Sequence, residues 1–127
     1  MKIIRLMTIL AGLGFLFLVS SCEYDWIEPT KTPEVPTPDT VSYSLNIQPI
    51  WDASCNMSGC HSSSGWDPKL SADKSYNELI NNGFINTASP SESELYKTMK
   101  TGAMAQYSNS TNNALVLKWI QQGAKNN

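Results

Sequence analysis

Two cysteines and a histidine, Cys55, Cys60 and His61, stand within the stretch Cys55-Asn56-Met57-Ser58-Gly59-Cys60-His61, and their types and spacing point to haem attachment. Two thiols on one short loop can each add to a vinyl group on neighbouring edges of a porphyrin. An imidazole directly after the second thiol is then held under the iron as its proximal ligand. His61 is the single histidine of the chain. The commoner spacing leaves two residues between the cysteines; here four intervene, so the extra pair must loop outward, a bulge that Gly59 and the small Ser58 permit. Two other chemistries use the same residues. Cys55 and Cys60 can close a disulfide in an oxidising compartment. A structural zinc site fits less well, because no further cysteine or histidine follows the cluster to complete a tetrahedron.

The start of the chain says where this chemistry takes place. Lys2 and Arg5 precede a largely apolar run from Leu6 to Val19, too short to span a bilayer comfortably and suited to the apolar core of a signal peptide. The run closes on Leu18-Val19-Ser20-Ser21-Cys22, which resembles the lipobox of bacterial lipoproteins. That resemblance implies a lipoprotein signal peptide over 1–21 and a lipidated Cys22 as first residue of the mature chain. Several acyl chains on one residue anchor firmly where a single chain binds reversibly. Cys22 is then committed to the lipid, and Cys55 and Cys60 are left to each other or to haem.

Residues 22–40 read as a tether. Pro29, Pro33, Pro36 and Pro38 alternate with threonines, and acidic residues are interspersed. An extended, polyproline-like chain from 23 to 40 reaches at most about 55 Å at roughly 3.1 Å per residue, enough to stand a domain off a membrane. The remainder, 41–127, is a single small domain whose core is marginal unless something staples it. A covalent haem would do so by giving short helices a broad apolar surface to cover. Without Lys2 and Arg5 there are seven basic residues against eleven acidic, a net charge near −4 that recommends no nucleic acid as a partner.

Helical signals dominate this domain. Asn46 is expected to cap a first helix with Pro49 in its opening turn, running towards Cys55. A second helix is expected over 73–81, with Tyr76, Leu79 and Ile80 inward and Gly83 as its stop. Ser89-Pro90-Ser91-Glu92 reads as cap, first-turn proline and capping-box glutamate for a third, which carries Leu95 and Met99 and ends before Gly102. The fourth is expected over 114–122, capped from 109–111 and closed by Gly123; Leu115, Val116, Leu117, Trp119 and Ile120 make it buried on most of its circumference. Alternating strand patterns of useful length and internal repeats are absent. The expected fold class is all-α, about four short helices with long loops.

Taken together, these stretches resemble small bacterial c-type cytochrome domains, near the planctomycete-type cytochrome c domains. The resemblance lies in Ile47-Gln48-Pro49-Ile50-Trp51 ahead of Cys55, in Gly59-Cys60-His61, in Ser89 to Tyr96, in Gly102-Ala103-Met104, and in Leu117 to Ala124. It departs in the cysteine spacing and in Met104-Ala105-Gln106, where the family usually has Met-Pro-Pro. What it implies is a class I cytochrome c-like domain around one covalent haem c, with first and last helices crossing beside it. With one histidine per chain, methionine is the usual distal ligand of an electron carrier. Met57 sits in the attachment loop and Met99 repeats the inward stripe of Leu95, while Met104 follows Gly102 in a loop and matches the family's methionine. The expected function is electron transfer rather than catalysis, with cofactor-binding residues Cys55, Cys60, His61 and Met104. The expected partners are redox proteins of the bacterial cell envelope, reached by a lipid-anchored chain facing the periplasm or cell surface. A five-coordinate haem module that binds a small ligand, and a disulfide-stapled surface lipoprotein without haem, are the other two readings of the same residues.

Overall fold

The computed structural model describes residues 37–127. The signal peptide, Cys22 and most of the tether lie outside the described residues. The described part is all-α. Four α-helices, α1 (Gln48–Ser54), α2 (Ser75–Asn81), α3 (Glu94–Lys100) and α4 (Ser110–Gln121), are joined by long loops, and no strand occurs among the described residues. Nor is any helix among them long and apolar enough to cross a membrane.

The entry into α1 differs from the expected cap. Ser42, not Asn46, caps the first helical segment by accepting from the Leu45 N–H, and Tyr43–Ile47 forms a π turn in which the Gln48 N–H reaches back to the Tyr43 carbonyl. Asn46 is used the other way round, its Oδ1 accepting from the Ser42 N–H at 2.9 Å. Proline supplies the physical reason. Pro49 has no N–H to give Leu45, and in a continuous α-helix its ring would press on that carbonyl; widening the preceding turn relieves both.

The other three helices end near their expected stops. The expected cap of the third helix, Ser89, makes no side-chain cap: Pro90–Glu92 is a separate 3-10 turn, and α3 starts at Glu94. Ser93, just before α3, also caps nothing, its hydroxyl accepting from the Asn86 N–H at 2.9 Å. Asn109 caps α4 through the Asn112 N–H. In α2, Leu79 is fully buried and Tyr76 packs on the core, but Ile80 is exposed, contrary to the inward role expected of it. Two turns of helix offer one face to the interior, and Leu79 occupies it.

The core is centred on α4. Val116, Trp119 and Ile120 are fully buried, and α4 packs on α3 and on the Tyr43–Ile47 turn, so the first and last helical segments meet mainly through that turn. Tyr43 joins the segments: its ring lies 5.1 Å from Trp119 and 5.2 Å from Tyr76, edge-on to the latter. Its hydroxyl donates to Ser75 Oγ at 2.7 Å and accepts from the Trp51 indole at 3.3 Å. The first residues of the domain are clasped to the segment after α4 as well, with the Val41 N–H on Gln122 Oε1 and the Ser44 N–H on the Asn127 carbonyl, both at 2.9 Å.

Burial holds the Tyr43 phenol above its ordinary value of 10.0, against the smaller opposing pull of its hydrogen bonds to Ser75 and Trp51. As pH rises past 10 the unfolded chain loses this proton first, so the contribution of Tyr43 to stability is full below pH 10 and falls above it. Tyr43→Phe should cost about 1–3 kcal/mol at neutral pH by leaving the Trp51 indole N–H without its acceptor, and should flatten the alkaline fall. Urea titrations of both proteins across pH 7 to 11 check this; parallel alkaline slopes would contradict it.

Candidate functional site

The loop from Cys55 to Leu70 follows α1 and contains no regular helix. Backbone hydrogen bonds give it its shape. The Cys55 and Asn56 N–H groups both turn back to the Trp51 carbonyl, at 2.8 and 2.7 Å, so α1 delivers Cys55 at its own C-terminal end. The four residues between the cysteines then make an excursion: the Cys60 N–H bonds the Met57 carbonyl at 2.9 Å, Gly59 takes φ +82°, and Met57 is half exposed. The excursion closes where the His61 N–H meets the Cys55 carbonyl at 3.0 Å, bringing the second cysteine and the histidine back beside the first. This is the outward bulge expected from the spacing, with Gly59 in the left-handed region that glycine tolerates best.

Beyond His61 the chain folds back over the same residues. The Trp66 N–H donates to the Cys60 carbonyl at 2.6 Å and the Leu70 N–H to the His61 carbonyl at 2.7 Å. Gly65 lies so close to the Cys60 carbonyl that a Cβ there would overlap it, so this position has room for backbone alone. Lys69 fastens the return, bonding the Gly65 carbonyl and pairing with Asp67 at 2.7 Å.

This return gives His61 its partner. Nδ1 of the imidazole lies 3.0 Å from the Pro68 carbonyl oxygen. A carbonyl can only accept, so the proton belongs on Nδ1 and Nε2 carries the free lone pair. A ring held in this way at one nitrogen is oriented and kept in one tautomer, which is how histidines that ligate metals are commonly supported.

His61 opens onto a cleft of about 660 Å³ that Cys55, Cys60 and Met104 also line. The walls are largely apolar: Trp51, Leu70, Leu95 and Met99 from the core, Phe84 from the loop after α2, and Trp66, Pro68 and Tyr107 from the loops at its margin. Size and lining are those of a small-molecule or cofactor site, apolar with few converging polar groups. Both cysteines are free thiols, Cys55 half-buried and Cys60 exposed. Burial, with a smaller contribution from Cys60, pushes the Cys55 thiol up, so it stays protonated at neutral pH. Among the described residues no three His, Cys, Asp or Glu side chains form a metal-holding group.

Cys55, Cys60, His61 and Met104 thus share one cleft. Met104 stands just after the turn that ends α3, where its N–H bonds the Thr98 carbonyl at 3.1 Å, and it opens the short 3-10 turn Ala105–Tyr107. Gly102 lets this turn lie directly on α3, since a Cβ there would come within 2.7 Å of Thr98 Cα. Met99 is a core residue, as the helical stripe implied, yet its side chain also borders the cleft. Sequence reasoning missed Phe84, Trp66 and Tyr107 as lining residues and the Pro68 carbonyl as the partner of His61.

No protein-family model, no curated protein and no solved structure matches the chain.

Proposed function

We propose that the chain is a membrane-tethered electron carrier: Cys55 and Cys60 hold one haem c through thioether bonds, with His61 as proximal and Met104 as distal ligand. The observation that carries the reading is the convergence on one apolar cleft of two free thiols and an imidazole whose Nδ1 is engaged by the Pro68 carbonyl. Such a donor set fits the group. Two thiols on a closed loop would hold it covalently, the His61 Nε2 lone pair and the Met104 sulfur would ligate its iron, and tryptophan, leucine and phenylalanine side chains would cover it. When bound, the haem supplies the Fe(III)/Fe(II) couple.

The chain's residues do the rest. The Pro68 carbonyl keeps the proton on Nδ1 and the Nε2 lone pair of His61 available. Trp51, Leu70 and Leu95 keep water from one side of the cleft; their burial and a methionine sulfur both favour the lower charge of the reduced state and so a higher potential. Trp66 and Tyr107, largely exposed at the margin, give redox proteins of the cell envelope an apolar edge to approach. No step needs a general acid or base, in keeping with a carrier that is not an enzyme. Cys22 would carry the lipid, and the proline-rich stretch after it would let the domain reach its partners.

The full chain, made in a bacterial host with a cytochrome c maturation system, tests the ligand assignment. Oxidised wild type should show the weak near-infrared band of a methionine-to-iron charge transfer. Met104→Ala should lose the band and bind CO readily when reduced. Met99→Ala should keep the band and lose about 2–5 kcal/mol of stability, the cost of truncating a buried methionine. Loss of the band in Met99→Ala alone would reverse the assignment, and a wild type that lacks it and binds CO quickly would favour the five-coordinate ligand-binding reading. For the anchor, Cys22→Ser should abolish palmitate incorporation; undiminished labelling would refute it.

A further inference from the structure

Gln48 is a buried polar residue on α1 whose amide is used completely. Nε2 donates to Asp52 Oδ1 at 2.9 Å and to the Leu70 carbonyl at 3.1 Å, while Oε1 accepts from the Ser75 hydroxyl at 2.6 Å. The orientation is not reversible: turned over, the amide would set its oxygen against a carboxylate and a carbonyl, and its nitrogen against a hydroxyl whose proton would have to turn away. Ser75 is itself fixed by the Tyr43 phenol at 2.7 Å, and Tyr43 in turn accepts from the Trp51 indole. Hydrogen bonds of one direction therefore run from Trp51 through Tyr43 and Ser75 to Gln48, and end on the Leu70 peptide. The N–H of Leu70 is meanwhile held by the His61 carbonyl at 2.7 Å.

We infer that Gln48 is a positioning residue for the His61 imidazole. Leu70 stands two residues after Pro68, whose carbonyl engages Nδ1. With the Leu70 carbonyl held by Gln48 and the Leu70 N–H by the His61 carbonyl, the Pro68 carbonyl two residues back stays in line with Nδ1, the proton stays there, and the Nε2 lone pair remains available. Remove the Nε2 donations of Gln48, and the buried Leu70 carbonyl loses its partner; the return loop can then shift, part the Pro68 carbonyl from Nδ1 and open the Nδ1 proton to solvent. Asp52 extends the hold, since its Oδ1 also accepts from Asn56 Nδ2 at 3.2 Å, within the attachment loop. The consequence for electron transfer rests on the haem reading, whereas the protection of the Nδ1 proton by the Pro68 carbonyl is a property of the polypeptide.

The test uses the full chain isolated from the maturation-competent host, with 15N-histidine; one histidine makes the ring signals unambiguous. Wild type should show a protonated Nδ1 with a slowly exchanging proton. Gln48→Leu removes the amide, and Gln48→Glu keeps its size and an acceptor for Ser75 while removing both donations. Both should exchange the Nδ1 proton about tenfold faster or more, the scale of one net hydrogen bond. Ser75→Ala, a milder cut, should show a smaller acceleration and keeps the test open if the Gln48 variants fail to fold. Val116→Ala, a core truncation outside the chain of hydrogen bonds, should leave the exchange near wild type. Unchanged exchange in folded Gln48→Glu or Ser75→Ala, or an equal acceleration in Val116→Ala, overturns the inference. Haem content is read on the same samples: a colourless chain with a protected Nδ1 proton keeps the inference and sinks the haem reading, and a haem-bearing chain whose proton ignores Gln48 does the reverse.

Discussion

The structure of the site depends on one closure, the return of Cys60-His61 onto Cys55. The His61 N–H to Cys55 carbonyl bond brings the two thiols and the imidazole into one place, and the carbonyls of Cys60 and His61 then accept from Trp66 and Leu70. Three consecutive folds of a loop without helix or strand are thus stacked on a dipeptide. Where a chain has no regular ladder, its buried polar groups must find such partners individually, and each one lost leaves a desolvated group behind. That is why Gly65 has no room for a side chain and why Lys69 is tied to the loop it leaves.

From this closure the remainder follows in layers. The core of α4, Tyr43, Tyr76 and Trp51 lies behind the loop, and the apolar faces of Trp51, Leu70, Leu95 and Met99 belong both to that core and to the wall of the cleft. A domain this small has little interior to spare, so residues that stabilise it also line its site. A bound apolar group would rest on these buried side chains and cover the exposed Trp66 and Tyr107, which gives a physical link between cofactor and fold in the proposed carrier.

Much of the helical order was legible because its signals are local. Gly83 and Gly123 stop their helices at positive φ, and Asn109 caps α4. Asn46 and Ser89 are good caps by type, but a side-chain oxygen can serve other donors or none: Asn46 accepts from the Ser42 N–H, and the Ser89 side chain caps nothing. Ile80 was misread because a two-turn helix buries fewer positions than its apolar content suggests. At the site, Cys55, Cys60, His61 and Met104 could be picked out because thiol, imidazole and thioether carry their chemistry in the side chain. The Pro68 carbonyl could not, since every residue has one and only the folded loop selects it. Phe84, Trp66 and Tyr107 stand on separate loops, with no periodicity to mark them as a common wall.

The central claim, that Cys55 and Cys60 are thioether-bonded to a single haem, is most directly tested by mass spectrometry of the proteolytic peptide containing residues 55–61, from full chain matured in a competent host. The account predicts a peptide heavier by one haem, with neither thiol open to alkylation even after reduction. A peptide of unmodified mass less two hydrogens, whose thiols alkylate once reduced, would contradict it and make the pair a disulfide.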